Sequence, residues 1–254
     1  MNILVTSGGT RIQIDRVRHI ANMSRGTFGS QIAKSFLELH PQPETLWFFR
    51  AEGSKSPFSL NLELTHQSLF QSLKDFTALA DLYEDENERY QEMSYKTFEN
   101  YAEGLEYLCK RVQPEIIILA AAVSDYGTEP LNTKIRSKDS EMEIKLHKLP
   151  KLIERVRTWC PKSFLVGFKL LVDSTSEELK GAALDSCIKN DCDMVVANDL
   201  RDVQNSNHTL TLVHKDETVQ VMSQKELEET VDHPSLARWL VSQILEKNLR
   251  RGLK

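Results

Sequence analysis

The residues at the head of the chain, Asn2-Ile3-Leu4-Val5-Thr6-Ser7, form a short apolar, β-rich run that stops at Gly8-Gly9. That is how a buried parallel strand enters a turn. Apolar residues then recur at Phe28, Ile32, Ala33, Phe36 and Leu37, making one face of a helix over 28–39, and a second strand follows at 45–50. Strand, glycine turn, helix, strand is a βαβ unit. Helical crossovers between short buried strands require a parallel sheet covered on both faces.

The alternation continues along the chain. Residues 51–95 read as polar and irregular, with a helix predicted at 67–82 and an acidic cluster, Glu84-Asp85-Glu86-Asn87-Glu88, taken as solvated surface. A helix over 98–112, stopped by Pro114, leads into a fully buried central strand at 115–122. Residues 128–142, rich in Lys, Arg, Asp and Ser, read as a flap. A short strand (143–147), a helix from about 150, a strand (163–171), a helix (176–190) and a strand (193–197) follow. Runs at 209–214 and 218–222 around Lys215-Asp216-Glu217 predict a β-hairpin before a final helix at 234–247. The expected architecture is one α/β domain over 1–254. Its sheet is doubly wound, mostly parallel and Rossmann-like, with a flap at about 128–142 and a C-terminal hairpin at about 207–223.

With 32 Lys and Arg against 37 Asp and Glu, the net charge of −5 argues against duplex nucleic acid or an anionic membrane as partner. The longest apolar run, 116–123, falls far below the roughly 18 residues of a membrane span. No basic segment followed by an apolar stretch opens the chain, so a cytoplasmic location is expected. Cys109, Cys160, Cys187 and Cys192 include no C-x-x-C pair and read as buried thiols. No glycine is followed by Lys, which excludes a P-loop, and Gly8, Gly9, Gly26 and Gly29 do not form G-x-G-x-x-G. No tyrosine has Lys four positions on, and the histidines, His19 among them, lack zinc-site spacing.

Ligands of doubly wound sheets sit beyond the carboxyl ends of the strands, so the strand exits are where chemistry is sought. The first exit is Ser7-Gly8-Gly9-Thr10, with the stretch 22–29 at the mouth of the first helix. Its small residues let backbone N–H groups approach a phosphate or carboxylate. At the second, Ala120-Ala121-Ala122-Val123-Ser124-Asp125, the alanines open access to the backbone and Asp125 can meet a hydroxyl, a metal or a Lys. Lys134, in Thr133-Lys134-Ile135-Arg136, is placed to reach a phosphate from the flap. The third, Val166-Gly167-Phe168-Lys169-Leu170, lies between Lys148-Leu149-Pro150-Lys151 and Val196-Ala197-Asn198-Asp199, and Phe168 can pack against a base or into the core.

In order and spacing, these segments resemble the phosphopantothenoylcysteine synthetase family, ligases of coenzyme A biosynthesis, over nearly the whole chain. Val17-Arg18-His19-Ile20, Lys134-Ile135, Pro150-Lys151-Leu152 and residues 195–198 take part in the match. Gly167-Phe168-Lys169-Leu170 and the long insertion between the second and third expected strands are similar to the stand-alone eukaryotic-like form. The resemblance implies that 4′-phosphopantothenate is joined to L-cysteine through an acyl-nucleotide. ATP or CTP would be consumed with Mg²⁺, and pyrophosphate and nucleoside monophosphate released.

It further implies that Asn22 contacts the acyl intermediate and that Lys134 closes as a flap residue on the triphosphate. Gly8, Ser24, Gly26 and Gly29 would shape the phosphate pocket, and Asp125, Phe168 and Asn198 would line the nucleotide side. Gly9, Thr10, Ala121, Lys148, Lys151 and Lys189 complete the implied binding set, while Mg²⁺ would be carried by the triphosphate and held by no protein side chain. Two departures bear on nucleotide choice: Asp185 stands four before Lys189 where bacterial members often have a second Lys, and Ser24-Arg25 replaces a frequent Ser-Ser. The stand-alone likeness leans toward ATP. A homodimer through the terminal hairpin is also implied, with small molecules as the other partners. The alternatives are an NAD(P)-dependent reductase on the same fold and a non-catalytic nucleotide-binding regulator.

Overall fold

The computed structural model describes residues 1–59, 69–135, 141–204, 208–230 and 235–252. In chain order its elements begin β1 (Asn2–Ser7), β2 (Arg11–Gln13), β3 (His19–Ala21), α1 (Thr27–Glu38), β4 (Thr45–Ala51), α2 (Leu69–Glu86), β5 (Tyr90–Tyr95) and α3 (Phe98–Val112). They continue with β6 (Ile116–Leu119), β7 (Tyr126–Gly127), β8 (His147–Lys148), α4 (Ile153–Trp159), β9 (Phe164–Leu171) and α5 (Ser176–Lys189). Last come β10 (Met194–Asp199), α6 (Leu200–Gln204), β11 (Thr209–His214), β12 (Val219–Ser223), α7 (Gln224–Thr230) and α8 (Leu236–Gly252).

Eight strands form one sheet in the order β12-β11-β10-β9-β6-β1-β4-β5. Neighbours from β5 to β10 are parallel, and β11 and β12 extend the edge antiparallel. Counting the parallel strands alone, the order is 3-2-1-4-5-6, the doubly wound arrangement whose direction of winding reverses between β1 and β6. Side chains alternate across it. Ile3, Val5, Ile116, Ile118, Val166 and Val196 meet α1 and α8, while Leu4, Ile117, Leu165 and Val195 meet α3, α4 and α5. On the first face, Ala237, Leu240, Val241 and Ile244 of α8 share a cluster with Ile32 and Phe36 of α1, and Arg238 reaches Glu38, 200 residues away, at 3.4 Å.

Local chemistry sets the helix ends. Thr175 and Glu178 form a reciprocal capping box at the start of α5, and the Thr97 hydroxyl accepts from the Asn100 amide at the start of α3. All four cysteines are free and buried. Among the described residues no helix is long and apolar enough to cross a membrane.

The structure corrects the sequence reading in four places. Residues 90–95, read as irregular, are β5, which pairs only with β4 and leaves Gln91, Glu92 and Ser94 toward solvent, so it lacks the apolar run of a central strand. The strand expected at 115–122 is four residues of β6; Ala120, Ala121 and Ala122 lie beyond it. The strand expected at 143–147 is the two-residue β8, paired with β7. Glu86 of the acidic cluster is buried, accepting from Gln42 Nε2 at 2.7 Å and Arg89 Nη1 at 3.1 Å. The hairpin is present as β11–β12 and continues the main sheet through β10. Arg136 and flap positions 136–140, position 207 of the hairpin, positions 67 and 68 of the second helix and Pro234 of the last lie outside the described residues.

Candidate active site

The carboxyl ends of β1 and β6, on either side of the reversal in winding, open a crevice. Pairing continues past both strands: the Ala122 amide donates to Gly8 O at 2.8 Å and the Thr10 amide to Ala122 O at 3.2 Å. Two buried threonines hold the alanine segment, Thr6 Oγ1 accepting from the Ala121 amide (3.3 Å) and Thr10 Oγ1 from the Ser124 amide (3.0 Å). The predicted Gly8, Gly9, Thr10 and Ala121 thus meet in one place.

Helix α1 starts directly on top of β1. Gly26, its N-cap, has φ +73°, no side chain caps the helix, and no acidic residue occupies its first turn, so the first amides stand without an intrahelical acceptor. Ser7 Oγ donates to Gly26 O at 3.1 Å, and a Cβ on Gly29 would overlap Ser7. At Gly26 a Cβ would stand 2.8 Å from Ser7 Oγ in a left-handed conformation. Gly26→Ala is therefore expected to cost about 1–2 kcal/mol from backbone conformation alone, measurable by urea denaturation; a loss below about 0.5 kcal/mol, the range of neutral surface changes, would refute the strain.

A two-stranded ribbon, β2–β3, stands beside the crevice. Asn22 follows β3 directly; it is exposed, its Nδ2 donates to Ala122 O at 3.0 Å, and its carbonyl accepts from the Ser24 amide at 2.8 Å. In the turn of the ribbon, Asp15 is fully buried: Oδ1 accepts from the amides of Val17 (2.9 Å) and Arg18 (2.8 Å), and Oδ2 from the amide of Ile135 (3.1 Å). The Val17 amide does most to hold this carboxyl below its usual range, against the opposing effect of burial. Lys134, next to Ile135, is exposed and makes no ion pair among the described residues. Between the ribbon, residues 128–135 and residues 142–147 lies a cavity of about 430 Å³ whose walls include Ile14, Leu131, Ile135, Met142 and Ile144.

Asp125 and Lys151 form an ion pair at 2.7 Å, about half exposed on both sides, beside β7–β8, which carries Lys148. Such a pair is weakly held and easily exchanged. Toward the carboxyl ends of β9 and β10, Phe28 meets Phe168 and His208, and Asn198 meets His208, a residue that spacing rules for histidine passed over. Phe28 lies edge-on to Phe168 (centroids 6.2 Å) and to His208 (5.1 Å), and Asn198 Nδ2 is 3.4 Å from His208 Nε2. Burial pushes the His208 imidazole below its ordinary pKa, opposed by Asp202. The neighbouring Asp199 carboxylate ties the start of α5 to this edge through the Ser174 amide and hydroxyl (2.7 and 2.8 Å), the amide bond first among the causes holding its pKa down at about 2. Lys189 is not brought here. It lies at the end of α5 that leads into the amino end of β10, across the sheet from the crevice, paired with Glu154 at 3.0 Å. Helix length accounts for the separation: the 14 residues of α5, at about 1.5 Å each, carry its end roughly 20 Å away from its start.

Fold and crevice together define a doubly wound α/β protein whose first helix begins, uncapped by any side chain, at the winding reversal. The chain belongs to the family described as DNA/pantothenate metabolism flavoprotein C-terminal domain, matched at residues 1–41 and 88–246. It is 30% identical over 215 residues to the Coenzyme A biosynthesis bifunctional protein CoaBC of Thermococcus kodakarensis (84% of this chain, 45% of that protein). It is 29% identical over 203 residues to human phosphopantothenate–cysteine ligase (67% of this chain, 64% of that protein). The chain thus spans under half of the archaeal protein and under two thirds of the human one. Bifunctional and separate relatives match about equally, so the likeness does not single out the stand-alone eukaryotic form. Among solved structures, a Cab2 mutant in complex with phosphopantothenate-cysteine shares the fold at TM-score 0.81 and 21% identity, with 98% of this chain and 86% of that one covered. A flavoprotein of the same family name from Streptococcus pneumoniae shares it at TM-score 0.73 and 24% identity, with 99% of each chain covered.

Proposed function

We propose that this chain joins 4′-phosphopantothenate to L-cysteine in coenzyme A biosynthesis, in the cytosol, at the expense of ATP or CTP. The observation that carries the reading is the convergence, at the carboxyl end of the sheet in a member of this family, of the uncapped start of α1, Asn22 and the ribbon that holds the Lys134 segment. The relatives' names, a phosphopantothenate–cysteine ligase among them, supply the substrates.

A free carboxylate is a poor acyl electrophile. In the first half-reaction its oxygen attacks the α-phosphorus of the triphosphate, the bond to the β-phosphate oxygen breaks and pyrophosphate leaves. In the second, the deprotonated cysteine amine attacks the acyl carbon, a C–N bond forms, the C–O bond breaks, and nucleoside monophosphate departs. The chain's part is charge management: first-turn amides of α1 face the phosphates, Lys134 offsets charge on the triphosphate, and the Asn22 amide holds the acyl group. Among the described residues no three His, Cys, Asp or Glu side chains gather to hold a metal. In this reading Mg²⁺ accompanies the triphosphate as part of the substrate. Phe168, Asn198 and His208 are the groups offered to the base, and ATP is the favoured nucleotide.

The test is pyrophosphate release by purified protein given 4′-phosphopantothenate, Mg²⁺ and either triphosphate, with and without cysteine. Release that requires phosphopantothenate, with monophosphate and ligated product only when cysteine is added, is the expected result. Nucleotide binding without release from either triphosphate would overturn it. Dimerisation through β11–β12 belongs to the same reading, supported by Val219 and Val221, which stand 42% and 50% exposed on the edge strand. Val221→Lys is expected to shift the sedimentation coefficient from dimer to monomer; an unchanged dimer would move the contact elsewhere.

A further inference from the structure

Ile135 is held at both of its backbone polar groups by the turn of the β2–β3 ribbon. Its amide donates to Asp15 Oδ2 at 3.1 Å, and its carbonyl accepts from Arg18 Nη2 at 2.7 Å. Asp15 and Arg18 are themselves paired, Nε to Oδ2 at 3.5 Å. Two further bonds fasten the start of the same segment to the ribbon: Thr128 Oγ1 donates to Gln13 O, and the Leu131 amide to Ile14 O at 3.0 Å. Residues 128–135 are in this way a strap sewn to the ribbon at three points, with Lys134 one residue before the last. The other end of the ribbon, β3, runs straight into Asn22, which is pinned to Ala122.

We propose that Asp15 is the positioning residue for Lys134: its buried carboxylate fixes the strap to the ribbon and so holds Lys134 in register with Asn22 across the crevice. Within the turn, Oδ1 receives the Val17 and Arg18 amides, and Oδ2 faces only the Arg18 guanidinium, Nε at 3.5 Å. The second oxygen is committed to a residue 120 positions away. A buried carboxylate with every acceptor engaged holds its donors firmly, and an error of about 1 Å in a catalytic group can cost on the order of a hundredfold in rate.

Asp15→Asn separates the two jobs. With its oxygen toward the Val17 and Arg18 amides, the backbone bonds of the turn are kept, while its NH₂ faces the Ile135 amide and the Arg18 guanidinium, donor against donor. This assignment of a catalytic consequence rests on the ligase reading, so the experiment has an arm that does not. Amide hydrogen exchange in Asp15→Asn is expected to quicken at Ile135 about tenfold or more, with β1 and β6 exchanging as before. Unchanged exchange at Ile135 overturns the proposal whatever the enzyme catalyses. In the second arm, Asp15→Asn is expected to lower kcat about 10- to 100-fold in the wild-type background and to have little further effect when Lys134→Ala is already present. An equal loss in both backgrounds overturns the positioning role, because a purely structural defect acts regardless of Lys134. Should Asp15→Asn fail to fold, Thr128→Val cuts the strap's other tether without touching the turn, and the same faster exchange at 131–135 is expected. If wild-type protein ligates nothing, the ligase reading has failed and the exchange arm alone decides the strap.

Discussion

Asn22→Ala is expected to stop the proposed reaction halfway. Pyrophosphate should still be released once per site, but the acyl-nucleotide should persist in acid-quenched samples, and cysteine should fail to discharge it at the normal rate. The physical ground is the placement of the side chain. Asn22 is exposed at the crevice, its Nδ2 is anchored on Ala122 O at 3.0 Å, and its Oδ1 has no bond among the described residues. With one Nδ2 hydrogen anchored on Ala122 O, the other can donate to an acyl oxygen during attack without reorganising, and loss of one such donor typically costs about 10²–10³ in rate. Because the residue is exposed, its truncation should leave the denaturation midpoint nearly unchanged, which separates a chemical from a structural defect. Wild-type turnover in the variant would sink the assignment.

Lys134→Ala should lose turnover more than it loses nucleotide. Lys134 is exposed and outside any described ion pair, so its ammonium supports no part of the fold on the page. A point charge that meets the triphosphate as charge develops on the leaving pyrophosphate stabilises the transition state more than the bound substrate. We expect kcat to fall by about 10²–10³, with triphosphate affinity, read by calorimetry, weakened by about tenfold or less. Unchanged kinetics would remove Lys134 from the reaction. A loss confined to affinity would make it a binding residue only.

Much of the architecture was legible because buried parallel strands announce themselves. The runs in β1, β4, β6, β9 and β10 are apolar on both faces, and α3 was bounded on the residue by its Thr97 cap and Pro114. What the sequence hid was everything paired on one side or for two or three residues. β5 hides its polar face at an edge, and the β2–β3 ribbon has only Ile12 buried among its paired residues, so neither produces a period. The candidate site follows the same division. Glycines, alanines and Asn22 declare themselves by type at strand exits, whereas His208 became visible only when Phe28, 180 positions earlier in the chain, came to rest against it. Asp15 carries no sequence signal of its own, since no local pattern reveals that its second oxygen meets Ile135. Lys189 stands apart from the other implied residues, a full helix away from the crevice, because likeness of motif carries no length.

The packing of α8 on α1 also sets the order in which this domain can be made. The apolar stripe of α1 leaves the ribosome ahead of its cover, which is anchored by Arg238 on Glu38 and follows 200 residues later. At translation speeds of about 5–20 residues per second, the stripe waits roughly 10–40 s. Local contacts cannot close that gap, and so distant a pairing slows folding even after release. The βαβ unit of β1, α1 and β4 is completed only when that helix arrives, and during the interval its uncovered face is exposed to chaperones and to other nascent chains.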